Sequence, residues 1–126
     1  MVSLSSLRRL HMSSLHFQFD MNGQHETLHI SGAVDVRTFV LFDAVMQCLA
    51  NSGGVLHIDL GDVDSFNSPA VGALVMLATQ RRSHGGMLHV RCRSNGTVAL
   101  MIQRARLDAL FNLEFDPDDS SNAKPK

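Results

Sequence analysis

The segment Asn67-Ser68-Pro69 carries the residue types in this chain that are best suited to chemistry. A serine hydroxyl can act as a nucleophile or accept a phosphoryl group. Because proline favours the first position of a helix, the spacing predicts that Ser68 is the N-cap residue of a helix, with Asn67 as the alternative cap. A helix start of this kind is common, so the motif has a purely structural interpretation beside any functional one.

A functional interpretation of Ser68 rests on the strand predicted at residues 55–60, where apolar and polar residues alternate. A helix that follows a parallel strand begins at the carboxyl edge of the sheet, where ligand and partner sites gather. A phosphate on Ser68 would face unpaired N–H groups and the positive end of the helix dipole, and it would add about −1.5 to −2 charges. The segment therefore predicts a binding site that phosphorylation can switch without unfolding the protein.

Catalysis by Ser68 is a weaker hypothesis. A serine hydrolase requires an adjacent general base and an oxyanion hole, and no Gly-x-Ser-x-Gly motif surrounds this serine. His57 is expected on the open face of the sheet, where it would not reach Ser68. We therefore predict no enzyme activity, no catalytic residue and no cofactor.

Histidine recurs between two apolar residues in four tripeptides that read Leu-His-Phe, Leu-His-Ile or Leu-His-Val. If each tripeptide lies in a strand, the four imidazoles share one face of the sheet. Strands lie about 4.8 Å apart, so facing imidazoles could approach one metal ion. We favour a solvated or partner-facing row without a metal, because an exposed polar face is typical of a sheet covered on one side. The row comprises His16, His29, His57 and His89, and three further histidines are predicted to lie in loops: His11, His25 and His84.

The elements that position these motifs follow from the spacing of apolar residues. The pattern indicates two strands, a helix, a strand, a helix, a strand, a helix and a short final strand. Every strand alternates apolar with polar residues, so helices cover only one face of the sheet. Right-handed crossovers on a single face predict near-sequential strand order, in an α/β fold whose mixed sheet of four to five strands starts with a hairpin. The predicted elements are a hairpin over 15–31, helices over 39–49, 68–82 and 98–105, strands over 55–60 and 87–92, and an edge strand over 110–115.

The length of 126 residues fits a single domain, which we predict over residues 15–115. Residues 1–14 are rich in serine and are predicted to be a flexible extension, with an organellar transit peptide as the alternative. Residues 116–126 are polar and interrupted by proline, so a disordered tail is predicted there.

Composition excludes several classes of protein. No apolar run reaches the roughly 18 residues that span a bilayer, so membrane insertion is not expected. The net charge is −1 and there is no basic block, so nucleic acid is an unfavourable partner. The two cysteines, Cys48 and Cys92, lack metal-binding spacing, and they favour a reducing, cytoplasmic location.

Four segments carry a family resemblance: Gly32-Ala33-Val34-Asp35, residues 56–60 with Asp62-Val63, Asn67-Ser68-Pro69-Ala70-Val71-Gly72, and Gly85-Gly86. The chain resembles the STAS domain family, whose members include anti-sigma-factor antagonists, over residues 15–115. In that family the second helix usually opens with Asp-Ser-Ser/Thr-Gly-Leu/Val-Gly, and a partner kinase phosphorylates the serine after the aspartate. This position falls on Ser68, and the neighbouring Asn67, Pro69 and Ala70 depart from the family pattern.

This resemblance implies a regulatory protein-binding module. The unmodified protein would bind an anti-sigma factor that is also a serine kinase, phosphorylation of Ser68 would end that binding, and a serine phosphatase would restore it. The alternative is a STAS accessory subunit that binds the ATPase of an ABC-type lipid or solute transporter. A monomer or a weak dimer is expected. The implied contact surface comprises Asp35, Asp62, Asp64, Phe66, Asn67, Ser68, Pro69, Val71, Gly72 and Leu74, of which Val71 and Leu74 could equally belong to the core.

Overall fold

The computed structural model describes residues 15–22 and 25–115. Over this part of the chain the strands and helices follow the order predicted from the sequence. The predicted extension and tail lie outside the described residues. The elements are β1 (Leu15–Asn22), β2 (His25–Ala33), α1 (Phe39–Leu49), β3 (Val55–Ser65), α2 (Ser68–Ser83), β4 (Met87–Cys92), α3 (Thr97–Arg104) and β5 (Glu114–Phe115).

The strands of the described residues form one sheet in the sequential order β1-β2-β3-β4-β5. β1 and β2 are antiparallel, and the three later pairs are parallel. A parallel pair needs a long crossover connection, and each of the three helices supplies one. The mixed sheet that starts with a hairpin and the sequential strand order are therefore as predicted.

The helices cover one face of the sheet, and the apolar side chains of the strands point toward them. Leu56, Ile58 and Leu60 of β3 are at most 1% exposed. Because side chains alternate along a strand, one sheet face and one face of each helix suffice to form the core. The helices contribute Phe42 and Met46 from α1, Leu74 and Leu77 from α2, and Val98 and Ile102 from α3.

The opposite face of the sheet, called the open face below, carries the polar side chains that alternate with the core residues. Its side chains are exposed or only partly buried. Cross-strand register places them in rows, because register partners lie on the same face. The open face includes His25, Thr27 and His29 of β2, His57 and Asp59 of β3, His89 and Arg91 of β4, and His16, Gln18 and Asp20 of β1.

Arg81 is the one polar or charged residue that is fully buried among the described residues. Its guanidinium donates to the carbonyl oxygen of Leu49 at 2.8 Å, at the end of α1, and to that of Gly53 at 2.9 Å. Nη2 also lies 3.3 Å from Oε1 of Glu26 on β2. A buried charge is tolerated only where such partners replace water. Arg81 therefore fastens α2 to α1, to the loop before β3 and to β2.

The connection from α2 to β4 requires glycine at two positions. Gly85 adopts a φ of +78°, a left-handed conformation that ends the helix without strain. A Cβ at Gly86 would lie 2.6 Å from the carbonyl oxygen of Gly54. The close approach brings the N–H of Met87 to 2.9 Å from the same oxygen, which starts the pairing of β4 with β3.

Strand β3 is longer and β5 is shorter than the sequence predicts. The composition Gly61-Asp62-Val63-Asp64 suggests a turn, but this stretch stays extended because β2 pairs with it as far as Ala33. Two irregularities of register accommodate the extra residues of β3. Near the end, Phe111 is buried within a turn, so only Glu114–Phe115 pairs with β4.

Within residues 15–22 and 25–115, no helix is long and apolar enough to cross a bilayer. The two cysteines are free thiols in different environments. Cys92 is buried, which raises its pKa to about 11, whereas Cys48 is exposed on α1.

Candidate partner-binding site

The ends of β2 and β3 lie side by side at the carboxyl edge of the sheet. Ala33 and Ser65 are register partners, and the N–H of Val34 donates to the carbonyl oxygen of Ser65 at 2.8 Å. The two loops that follow, beginning at Asp35 and at Phe66, therefore leave the sheet from neighbouring points. Each loop leads directly into a helix, α1 or α2, so both helices begin at this edge.

Asp35 closes the turn between β2 and α1. Its Oδ1 accepts hydrogen bonds from the N–H groups of Arg37 at 2.9 Å and Thr38 at 3.2 Å. These bonds favour the carboxylate, so they lower the pKa of Asp35 below its ordinary value of 3.8. Thr38 Oγ1 fixes the other side of the turn by donating to the carbonyl oxygen of Ala33 at 2.8 Å. Asp35 is therefore an exposed negative charge in a fixed position.

Asn67 is the N-cap residue of α2, so the prediction that Ser68 caps the helix is wrong. The backbone of Asn67 is extended, and its Oδ1 accepts a hydrogen bond from the N–H of Ala70 at 3.0 Å. Ser68 and Pro69 are the first two helical residues, and both are exposed. The sequence did not separate the two registers, because the first turn of a helix tolerates the missing N–H of proline.

This shift by one residue changes what a phosphate on Ser68 would meet. The N–H groups of Ala70 and Val71 both donate to Asn67, and Pro69 has no N–H. The first turn therefore offers a phosphate fewer unpaired N–H groups than the sequence predicts. The dipole of the 16-residue α2 adds a favourable attraction.

Phe66 belongs to the core, although it is predicted on the contact surface, and Leu74 also belongs to the core, which is one of the two positions predicted for it. Leu74 is fully buried, and the ring of Phe66 meets the ring of Phe42 edge to face with centroids 5.7 Å apart. Phe66 thereby fastens the loop before α2 onto α1. Val71 is half-buried against the same core, whereas Gly72 is exposed.

Two exposed valines near the start of α1 are absent from the contact surface that the sequence predicts. Val36 is 85% exposed and Val40 is 74% exposed. Helices α1 and α2 both run against the parallel strands, so they are parallel neighbours. One turn beyond Val40, Asp43 lines a groove of about 390 Å³ between the two helices, opposite Ala73 and Met76 of α2. Val40 therefore lies one turn before the groove on α1, and Val36 lies in the turn that precedes this helix.

The composition of α1 contains a signal for exposed apolar side chains. Nearly all of its eleven residues are apolar, which is more than the stripe that a helix on one side of a sheet can bury. The apolar residues of α1 that do not fit into the buried stripe must be exposed, and Val40 is one of them. Sequence alone does not say which residues these are, because the width of the buried stripe depends on how α2 packs beside α1.

The family model described as "Mlab, STAS domain" matches residues 17–113. The chain belongs to the STAS family. The matched range runs from β1 to the residue before β5, so one STAS domain accounts for nearly all the described residues. No curated protein matches the chain.

Solved structures share the fold of this STAS domain. An anti-sigma factor antagonist from Mycobacterium paratuberculosis has a TM-score of 0.72 at 22% identity, over 87% of this chain and 93% of that one. The Bacillus cell fate determinant SpoIIAA, in its phosphorylated form, has a TM-score of 0.60 at 12% identity, over 86% and 99% of the two chains. The protein TM1081 has a TM-score of 0.60 at 17% identity, over 89% and 90%.

Asp62 lies apart from the other predicted contact residues of the STAS domain. It lines a groove of about 1000 Å³ on the open face. Its Oδ1 is 3.6 Å from Nη2 of Arg93, whose Nε donates to the carbonyl oxygen of Gly61 at 2.7 Å. Asp64 is exposed further along β3. The register of β2 and β3 places Asp35, Asn67, Ser68 and Pro69 at the carboxyl edge, and Gly72 follows one turn further along α2.

The four predicted histidines of the STAS domain share the open face, but they do not form one row. Only His57 and His89 are register partners, and their rings stack with centroids 4.8 Å apart. His25 is the first residue of β2, and its ring lies 5.9 Å from that of His57. The prediction of a loop at His25 is therefore wrong. His84 follows the end of α2 as predicted, and His11 lies outside the described residues.

The remaining open-face histidines lie further along the strands. Nδ1 of His29 is 3.3 Å from Oδ2 of Asp59, and its Nε2 is 3.8 Å from Oδ2 of Asp20. His16 lies opposite Ser31. In the described part of the chain, no three His, Cys, Asp or Glu side chains converge in a way that could hold a metal ion.

Proposed function

We propose that this STAS domain is an anti-sigma-factor antagonist that binds an anti-sigma factor with serine kinase activity. The observation that carries the proposal is the position of Ser68, exposed in the first turn of α2 at the edge where Asp35 is also fixed. Two structural neighbours, an anti-sigma factor antagonist and SpoIIAA in its phosphorylated form, support it. The domain acts by binding and not by catalysis.

The proposed contact surface combines a polar and an apolar part. Asp35 supplies a fixed charge, and Val36 and Val40 supply exposed apolar area in the turn before α1 and in its first residues. Apolar side chains surrounded by polar ones are typical of protein interfaces. Ser68 lies on the α2 side of this surface, where a kinase bound to the surface would have access to its hydroxyl.

Phosphorylation of Ser68 would end binding by a local electrostatic effect. The phosphate adds about −1.5 to −2 charges close to apolar contacts. Asp35 at the same edge stays ionised, because its pKa is lowered by the N–H groups of its turn. The combined charge strengthens hydration of the surface and disfavours burial against the kinase. A serine phosphatase would reverse the change. We place this cycle in the cytoplasm. We propose that the protein itself is a monomer or a weak dimer.

The test is an affinity capture from the native cells with wild-type protein, Ser68→Ala and Ser68→Asp, combined with intact-mass analysis. The matched control is Ser83→Asp, which adds the same charge to the other end of α2. The proposal expects a phosphate on Ser68, and a kinase that wild type, Ser68→Ala and Ser83→Asp retain and Ser68→Asp loses. Equal capture by all four forms, without a phosphate on Ser68, would refute the switch.

The second candidate is an accessory subunit that binds a transporter ATPase. The observation that favours it is the first turn of α2, where Pro69 and the cap Asn67 leave few N–H groups for a phosphate. The interface would then be constitutive and Ser68 merely part of it. In the same capture experiment, this function predicts an ATPase of the ABC type that is retained by Ser68→Ala and by Ser68→Asp.

A further inference from the structure

The stacked pair His57 and His89 belongs to a line of three imidazoles that crosses β2, β3 and β4 on the open face. The ring of His57 lies 5.9 Å from that of His25 and 4.8 Å from that of His89. His57 is the third residue of β3, near the amino ends of the parallel strands, whereas Ser68 lies beyond their carboxyl ends. The line is therefore separate from the proposed partner site.

One end of this line, His89, lies beside a carboxylate. On β5, Oε2 of Glu114 lies 3.3 Å from Nδ1 of His89. Oε1 of Glu114 lies 3.5 Å from Nη2 of Arg91, which is on β4. Glu114 is therefore a carboxylate neighbour that His89 shares with Arg91.

The centre of the line has no such partner among the described residues. Asp59, the nearest carboxylate along β3, contacts His29 instead of His57. His57 has an imidazole on either side, and it is partly buried between them. The titratable and charged groups that face the line are Asp20 on β1, His25 and His29 on β2, Asp59 on β3, Arg91 on β4 and Glu114 on β5.

The geometry points to a proton-sensitive device in which protonation of His57 weakens the pairing of β3 with β4 at the amino ends of these strands. Like charges on directly opposite residues destabilise a sheet, and His57 and His89 are direct register partners. A positive charge on His57 lies directly against the ring of His89, whose centroid is 4.8 Å away. Mild acid therefore loosens the pairing of β3 with β4 at their amino ends, at the opposite end of the strands from the partner site.

The pKa of His57 is shifted in the direction that this device requires. Burial lowers the pKa below its ordinary value of 6.5, His89 lowers it further, and Glu114 opposes the change. The unfolded chain therefore binds more protons than the folded chain once the pH falls through 6.5. The contribution of His57 to stability is complete above that pH and is lost as the pH falls toward the lower pKa of the folded state.

The experiment compares the full-length wild type with His57→Gln by urea unfolding at about pH 7.5 and about pH 5.5, on either side of the ordinary imidazole pKa. On acidification, the unfolding equilibrium constant of wild type should rise roughly two- to fivefold more than that of the variant. The matched control, His84→Gln, removes an imidazole outside the line and should behave as wild type. Amide exchange of residues 55–58 and 87–90 at the lower pH should be faster in wild type than in His57→Gln.

A second measurement uses only the wild-type protein, so it does not depend on the folding of a variant. An NMR titration of the Cε1 proton of His57 in wild type should give a lower midpoint in the folded protein than in the urea-unfolded chain. The proposal is overturned if the two midpoints coincide or the order is reversed. It is also overturned if His57→Gln shows the full pH dependence of wild type, or if amide exchange at the lower pH is the same in both proteins.

Discussion

Oδ1 of Asn67 accepts a hydrogen bond from the N–H of Ala70 at 3.0 Å, and this bond sets the register in which α2 begins. Ser68 is therefore the first helical residue, exposed and not used as the cap. The sequence assigns both the helix cap and the exposed serine chemistry to Ser68, whereas in the structure the cap is Asn67. The stability of the helix start and the chemistry of the serine can thus be altered separately.

Asn67→Ala should destabilise the domain, because the N–H of Ala70 loses its side-chain acceptor. The expected loss in the free energy of unfolding is about 1 kcal/mol. Urea unfolding followed by circular dichroism measures it. Ser68→Ala is the matched control and should change the free energy by less than about 0.5 kcal/mol, as surface substitutions usually do. A larger loss for Ser68→Ala than for Asn67→Ala would contradict the assigned cap.

Arg81→Met should be among the most damaging substitutions in the chain. It removes the donor that satisfies the buried carbonyl oxygens of Leu49 and Gly53, and a buried polar group left unsatisfied costs about 1 to 3 kcal/mol. A fall of at least about 2 kcal/mol in the free energy of unfolding is expected. The adjacent Arg82 is exposed, so Arg82→Met is a matched control with little effect. Similar unfolding midpoints for the two variants would show that Arg81 does not fasten the helices.

Two glycine substitutions should change stability in opposite directions. Gly86→Ala places a Cβ 2.6 Å from the carbonyl oxygen of Gly54, so the start of β4 must shift and stability should fall. Gly72→Ala meets no atom within 4 Å on an exposed helix position, and it should stabilise by about 0.5 to 1 kcal/mol. Thermal unfolding of both variants checks the prediction. A stable Gly86→Ala variant would mean that this approach of the two loops is not needed.

Val40→Glu and Val36→Glu should abolish capture of the partner while leaving the fold intact. Both side chains are largely exposed, so the change removes apolar contact area without opening a cavity. The matched control is Leu100→Glu, an exposed apolar residue on α3 that lies outside the proposed surface. Unfolding curves of all three variants should overlap that of wild type. If the partner is captured equally by all three, the valines do not belong to its binding surface.

The order and topology of the elements could be predicted because they follow from local periodicity. Leu56, Ile58 and Leu60 alternate with polar residues, which indicates both a strand and a sheet covered on one face. Right-handed crossovers then leave little freedom in strand order. Ser68 was also placed correctly at the carboxyl edge, since its position follows from the strand before it.

What could not be predicted depends on contacts between distant residues. Residues 61–65 look like a turn until β2 pairs with them, and His25 looks like part of a loop until it pairs opposite Val55. The family resemblance implies that Phe66 belongs to the contact surface, but its ring packs against Phe42 of α1. Burial of Arg81 had no local signal, since its carbonyl partners lie about thirty residues earlier in the chain.

The alternation of leucine and histidine along the strands has a consequence for how the sheet assembles. A slip of one residue in β3 would turn His57 and Asp59 into the core and expose Leu56 and Ile58. Burying an imidazole and a carboxylate without partners is far more costly than solvating them. Misaligned pairings are therefore unstable from the moment they form. The polar residues of the open face thus exclude the alternative registers of the strands, independently of any contact with a partner.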